Sequence, residues 1–260
     1  MERLRRLWAK RSWLWLYWAL LAATVVVGVL FRSNRYWFDP ISLWGDEALW
    51  AKRLFTHPLT ELYIRPIGFM AISKALVKIY SDERVLRLLP YLSGLATLGV
   101  SLYVANRLFR SRMTRFLFVF AFAFHPVLID MSREFKPYSV EVLAHLGILA
   151  LYLRWEETEH RRWLYALVAA CVLAVPLAYN VVFLLPVVFV LIAFRVLQRR
   201  AFRALLVVVG ALAAGIAIML AVYWKSVSRL NTDAAEQMWG KKYDAFYLEQ
   251  RNLEGKSPKG

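Results

Sequence analysis

The feature that most constrains this chain is a series of apolar stretches of nearly bilayer length, separated by short basic segments. They run at about Trp13–Phe31, Leu88–Asn106, Phe116–Ile129, Tyr138–Leu153, Trp163–Ala178, Val181–Leu197 and Ala204–Trp224. A helix needs about 20 predominantly apolar residues to cross the hydrocarbon core. The chain is 60% hydrophobic, against about 45–50% for an average soluble domain, and its mean hydropathy is +0.46. The expected fold is all-α: a polytopic membrane protein with about seven transmembrane helices.

The net charge of +16 would suggest nucleic acid in a soluble protein. Here the cations cluster in short segments between apolar blocks, as the positive-inside rule requires. No nucleic-acid partner is expected; membrane lipids, whose anionic headgroups attract such segments, are. Arg3, Arg5, Arg6, Lys10 and Arg11 precede the first span and hold the N-terminus in the cytoplasm. That span is too long for a signal peptide and no small-residue cleavage site follows it, so it reads as a retained helix. Trp8, Trp13, Trp15 and Trp18 suit an interfacial aromatic belt.

Parity decides how the segment 32–87, the expected first outer loop, meets the membrane. It contains the apolar stretch Ile64–Tyr80, which carries Arg65, Lys74 and Lys78. If this stretch does not span, the basic groups Arg107/Arg110/Arg112/Arg115 and Arg195/Arg199/Arg200/Arg203 fall on the cytoplasmic side with the N-terminus. If it spans, both fall outside. The first choice satisfies the rule, so Ile64–Tyr80 is expected to be an amphipathic helix in the outer interface. Against this, segment 32–87 holds nine Lys/Arg and six Asp/Glu, although long loops obey the rule weakly. The domains are therefore a transmembrane module, 1–224, and an outer polar tail, 225–260. The tail has the composition of a partly disordered segment, with a short interfacial helix expected at Ala234–Leu248. Cys171, the single cysteine, is expected to be packing.

Three clusters fall on the outer face: Asp46-Glu47, then Tyr63-Ile64-Arg65-Pro66, then Asp130–Ser139. Carboxylates and cations at one membrane face suit a reaction on a phosphate-bearing lipid. Cations stabilise a departing phosphate, and a carboxylate can take the proton of an attacking hydroxyl. Each residue also has a structural reading. Asp46 and Glu47 suit the N-terminal turn of a helix at Glu47–Phe55. Arg65 can snorkel, Glu134 can pair with Arg133 or Lys136, and Tyr138 can anchor at the interface. Glu141 and His145, four apart on one helix face, suggest a pair. Asn180 suits the tight outer turn between the fifth and sixth spans.

In this order the motifs resemble the GT-C membrane glycosyltransferases. The likeness is to the family 39 group, which includes protein O-mannosyltransferases and the aminoarabinose transferase acting on lipid A. The residues that carry it are Asp46-Glu47, Arg65-Pro66-Ile67, Arg87-Leu88-Leu89-Pro90 and Ser132–Ser139, within about residues 13–225. The resemblance implies transfer of a sugar from a polyprenyl-phosphate donor to a lipid, glycan or protein acceptor. It places that transfer on the outer side of the bacterial inner membrane. It implies Asp46 as general base or acceptor-orienting group, and Glu47 as its support, through a divalent metal in some relatives. It also implies Arg65 and Lys136 as phosphate ligands and Glu134, with Tyr138 beside it, as substrate-binding groups. Two departures stand out. Lys136 replaces the more frequent Arg and loses bidentate geometry. The sequence also ends after the seventh span, where members of that group usually continue. A truncated or partner-dependent module that binds lipid phosphate without turnover is the alternative. A transporter fits less well, because the charges gather at one face rather than at the midplane.

Overall fold

The computed structural model describes residues 2–38, 43, 45–56, 58–59, 66–80, 82–198, 202–222 and 224. Among these there are ten α-helices and no strand: α1 (Glu2–Trp37), α2 (Gly45–Thr56), α3 (Ile67–Ile79), α4 (Glu83–Leu108), α5 (Arg112–Phe124), α6 (Pro126–Met131), α7 (Tyr138–Thr158), α8 (Arg161–Leu177), α9 (Val181–Gln198) and α10 (Phe202–Val222). The all-α expectation holds. Most of the tail, including Ala234–Leu248, lies outside the described residues.

α4 is the axis of the fold and packs on α1, α3, α5 and α7. Its sequence explains why. Ser93, Thr97, Ser101 and Ala105 are buried and spaced by four, which makes a face of small side chains that lets neighbouring backbones approach. Two hydroxyls on this face are satisfied within the helix: Thr97 donates to the Ser93 carbonyl and Ser101 to the Leu98 carbonyl, both at 2.8 Å. Beside them Gly94 meets the turn after α6 so closely that an added Cβ would lie 2.5 Å from Ser132 Cβ. Gly94→Val is therefore expected to cost about 1–3 kcal/mol through overpacking. A melting curve in detergent that matches wild type would show that this turn yields freely.

Three apolar clusters hold the rest. α7, α8, α9 and α10 meet around Ile148, Leu167, Cys171 and Ile192. α2, α3 and the start of α4 meet around Leu54, Phe69, Met70 and Leu86, with Phe135 among them. α1, α4 and α5 meet around Leu21, Ala105 and Val119.

Among the described residues three helical segments are long and apolar enough to cross a membrane: Trp13–Asn34, Glu83–Leu108 and Val181–Gln198. α10 contributes a shorter apolar stretch, Leu205–Ala221. Large apolar side chains face outward, including Phe183, Val190, Leu206 and Leu173. Water would penalise so much exposed hydrocarbon, whereas lipid does not. α3, at 13 residues, is about 20 Å long, short of the roughly 30 Å hydrocarbon core. Its buried residues Phe69, Met70, Ser73 and Val77 lie on one face.

Several boundaries differ from the sequence expectation for identifiable reasons. The first helix does not stop at Phe31 but continues to Trp37, because hydropathy falls there while helical geometry persists. The third apolar block is two helices, α5 and α6, broken at His125-Pro126. Pro126 has no N–H, so the Phe122 carbonyl four residues back loses its helical donor. Arg32 fills that gap. Its Nη2 donates to the Phe122 carbonyl at 2.8 Å, and its Nη1 to those of Ala123 at 3.1 Å and Gly28 at 3.0 Å. The close approach is possible because residue 28 is glycine; a Cβ there would lie 3.0 Å from Ala123 Cβ. Pro90, Pro176 and Pro186 all fall inside helices.

Charged contacts gather at two ends of the bundle. At one end Arg107 pairs with Glu157, Arg154 with Glu157, and Arg195 with Glu156. At the other lie Glu47, Arg87, Phe135, Glu141 and Asn180. Arg87 and Arg107 are twenty residues apart on α4, which is about 30 Å along a helix.

Candidate functional site

The site is built on α2. Glu47 is the third residue of that helix. Glu47, Trp50, Ala51 and Leu54 are all buried, and their spacing of three and four defines the inward stripe of α2. Glu47 is the polar head of that stripe and is 0% exposed.

A buried carboxylate must be paired and hydrogen-bonded, and this one is. Arg87 Nη2 lies 3.0 Å from Glu47 Oε2. The Phe135 backbone N–H donates to Glu47 Oε1. Phe135, itself fully buried, stacks on Phe69 of α3 with ring centroids 5.5 Å apart. One carboxylate therefore ties together α2, the start of α4 and the turn before α7, and the Phe135 ring extends the tie to α3. Three of the four sequence motifs, far apart in the chain, meet at this point.

The end of α6 and the turn from Ser132 to Pro137 lie beside it. Arg133 pairs with Asp130 at 3.1 Å and Lys136 with Glu134 at 3.0 Å. The Glu134 and Lys136 side chains are partly open, 26% and 15% exposed. Tyr138, the first residue of α7, is exposed. Asp46 is the second residue of α2, but its side chain lies outside the described residues. Arg65, Tyr63 and His57 also lie outside them; Arg65 directly precedes Pro66, the N-cap of α3.

Neighbouring groups fix the walls. Tyr36 donates to the Arg84 carbonyl at 2.8 Å and stacks on Tyr91 at 4.2 Å. Burial first, then Tyr91 and Asp82, pushes the Tyr36 hydroxyl above its ordinary range and keeps it neutral. The first amide of α3, Ile67 N–H, donates to the Tyr179 oxygen at 3.3 Å. Burial raises the Tyr179 hydroxyl too, offset in part by that bond.

The Glu141–His145 pair takes another form than the spacing suggested. His145 Nδ1 lies 2.7 Å from the Glu141 backbone carbonyl; a carbonyl only accepts, so Nδ1 carries the proton. The Glu141 carboxylate instead accepts from Asn180 Nδ2 at 2.8 Å. Asn180 does stand in the turn between α8 and α9, and from there it pins α7.

The structure thus gathers Glu47, Glu134 and Lys136 about one turn, with Tyr138 at its end. It adds Arg87, Phe135 and Asn180, which sequence reasoning did not name as site residues. Arg87 was legible as a cation opening an apolar helix; Phe135 acts through its main chain and leaves no side-chain signal. A metal on Glu47 does not fit. Both its oxygens are engaged, one by a guanidinium that would repel a dication. Among the described residues no three His, Cys, Asp or Glu side chains converge as ligands. Comparison with family models, curated proteins and solved structures returned no match.

Proposed function

We propose that this chain is a GT-C-type membrane glycosyltransferase module, transferring a sugar from a polyprenyl-phosphate donor at the outer face of a bacterial inner membrane. One observation carries the reading: Glu47 joins the acidic motif of α2, the Arg87 motif of α4 and the Ser132–Ser139 motif at a single buried point. Seven crossings, with the N-terminus cytoplasmic and α3 in the outer interface, complete the picture. Its support is the segregation of the charged contacts. The segments that parity assigns to the cytoplasm, around Arg107, Glu157 and Arg195, meet at one end. Those assigned outside meet at the other.

In this reading Glu47 is a positioning residue. It holds α2 so that Asp46, one residue earlier, opens on the substrate. Asp46 takes the proton of an acceptor hydroxyl. The acceptor oxygen bonds to the anomeric carbon as the bond from that carbon to the phosphate oxygen breaks, with inversion. The departing polyprenyl phosphate keeps the electron pair and is held by Arg65 and Lys136. Glu134, paired with Lys136, sets the position of that cation and faces sugar or acceptor with Tyr138.

A binding-only module is the second reading. It is favoured by the engagement of Glu47 and Glu134 with cations, which leaves chemistry to Asp46 alone. Proteoliposomes loaded with labelled polyprenyl-phosphate sugars separate the two. The transferase reading expects release of polyprenyl phosphate, reduced by about 10²-fold or more in Asp46→Asn. Donor binding that weakens in Arg65→Ala, with no release by wild type for any donor, would establish the second reading instead.

A further inference from the structure

At the Glu47 end of the bundle, the turn between α8 and α9 reaches two other helices. Tyr179 accepts a hydrogen bond from the Ile67 N–H, the first amide of α3, at 3.3 Å. Its neighbour Asn180 donates to the Glu141 carboxylate, in the first turn of α7, at 2.8 Å. Two adjacent side chains therefore join the start of α3 to the start of α7. The packing beneath them is close. A Cβ on Gly68 would lie 2.9 Å from the Pro176 carbonyl oxygen, so the first turn of α3 is seated on the last turn of α8.

The turn itself is firmly held. Ala178 and Val181, which flank the pair, are fully buried in the cluster around Leu167 and Ile192. The Val181 N–H bonds the Ala178 carbonyl at 3.0 Å, and the Val182 N–H bonds the Tyr179 carbonyl at 3.1 Å. These contacts anchor α8 and α9 to the bundle without help from the Tyr179 hydroxyl or the Asn180 amide. The two polar groups add a link between α3 and α7.

Each of the helix starts so linked has a cation just ahead of it. Arg65 precedes Ile67 by two residues, at most about 7 Å of extended chain. Lys136 is separated from α7 by Pro137 alone. An anion held by both cations needs a fixed gap between them, because hydrogen bonds weaken steeply when distance or angle departs from the optimum. The Phe69–Phe135 stack joins the same two segments, but an apolar contact resists separation without fixing direction. The Tyr179 and Asn180 hydrogen bonds supply direction.

We propose that Tyr179 and Asn180 are positioning residues for phosphate binding. They set the gap between the starts of α3 and α7, and so the spacing of the two cations that hold the lipid phosphate. This role rests on Arg65 and Lys136 being the phosphate ligands. Each of the two residues acts through a helix start rather than on the phosphate itself.

The test is retention of undecaprenyl phosphate against undecaprenol by the full chain in detergent, read by native mass spectrometry, with melting midpoints measured alongside. Wild type is expected to prefer the phosphate. Tyr179→Phe keeps the ring and removes the acceptor of the Ile67 N–H. It is expected to lower phosphate retention about fivefold and to leave undecaprenol retention unchanged. Asn180→Asp sets two carboxylates against each other and is expected to lower phosphate retention at least as much. Asn180→Asp/Glu141→Gln exchanges donor and acceptor, remakes the bond, and is expected to restore it. Equal retention of both lipids by wild type would remove the phosphate site itself, and with it both this role and the transfer reading. A wild type that prefers the phosphate, beside a folded Tyr179→Phe protein that retains it fully, would overturn the positioning role alone. So would an Asn180→Asp/Glu141→Gln protein as weak as Asn180→Asp, which decides the matter if Tyr179→Phe does not fold.

Discussion

Glu47→Ala is expected to destabilise the protein by about 3–5 kcal/mol, the cost of breaking a buried ion pair from one side. The substitution removes the carboxylate opposite Arg87 and the acceptor of the Phe135 N–H. It also opens the polar head of the inward stripe formed with Trp50, Ala51 and Leu54. Because Glu47 joins α2, α4 and the turn before α7, the loss is expected to be local in structure but cooperative in unfolding. Glu47→Gln keeps an acceptor for Phe135 and loses only the charge, so a smaller loss of about 1.5–3 kcal/mol is expected. Denaturation in detergent micelles measures both. A Glu47→Ala protein as stable as wild type would mean that the pair contributes nothing net.

Arg32→Met is the second large expectation. Arg32 is buried and meets three backbone carbonyls. Among the described residues it has no carboxylate partner. Removing a desolvated charge is favourable taken alone, but two effects oppose it. Pro126 denies the Phe122 carbonyl its helical donor, and the α5–α6 break leaves the Ala123 carbonyl in the same position. Each unsatisfied group costs about 1–3 kcal/mol, so a net loss of about 2–4 kcal/mol is expected. The cause can be isolated. Pro126→Ala restores the N–H that Phe122 lacks. Arg32→Met/Pro126→Ala is therefore expected to recover at least about 1 kcal/mol relative to Arg32→Met. Strict additivity of the two substitutions would contradict the link between Arg32 and the broken helix.

How much of this was legible in the sequence varies by physical origin. Apolar blocks announce helices because burial in lipid requires long uncharged runs, and Glu83–Leu108 and Val181–Gln198 follow that rule. The continuation of α1 through Arg32 to Trp37 was not legible, because hydropathy measures the solvent and not the backbone. The α5–α6 break was written in Pro126, but the cation that satisfies it comes from 94 residues earlier in the chain, and no local pattern records that meeting. The acidic pair was legible as a feature, but the burial of Glu47 in the stripe that includes Leu54 was not. Its partner Arg87 stood in plain view as the start of Arg87-Leu88-Leu89-Pro90. The bond from the Phe135 main chain could not be read, since every residue but proline carries the same N–H. Glu141 and His145 have the spacing of a side-chain pair, yet Asn180, brought in by the α8–α9 turn, competes successfully for the carboxylate.

The most direct test of the central claim compares Asp46→Asn and Glu47→Gln in one preparation, reading sugar transfer from a polyprenyl-phosphate donor together with the melting midpoint. The two variants are expected to show opposite signatures. Asp46→Asn melts with wild type and loses transfer, whereas Glu47→Gln melts earlier and retains transfer below its own midpoint. An Asp46→Asn protein that transfers sugar at the wild-type rate would contradict it.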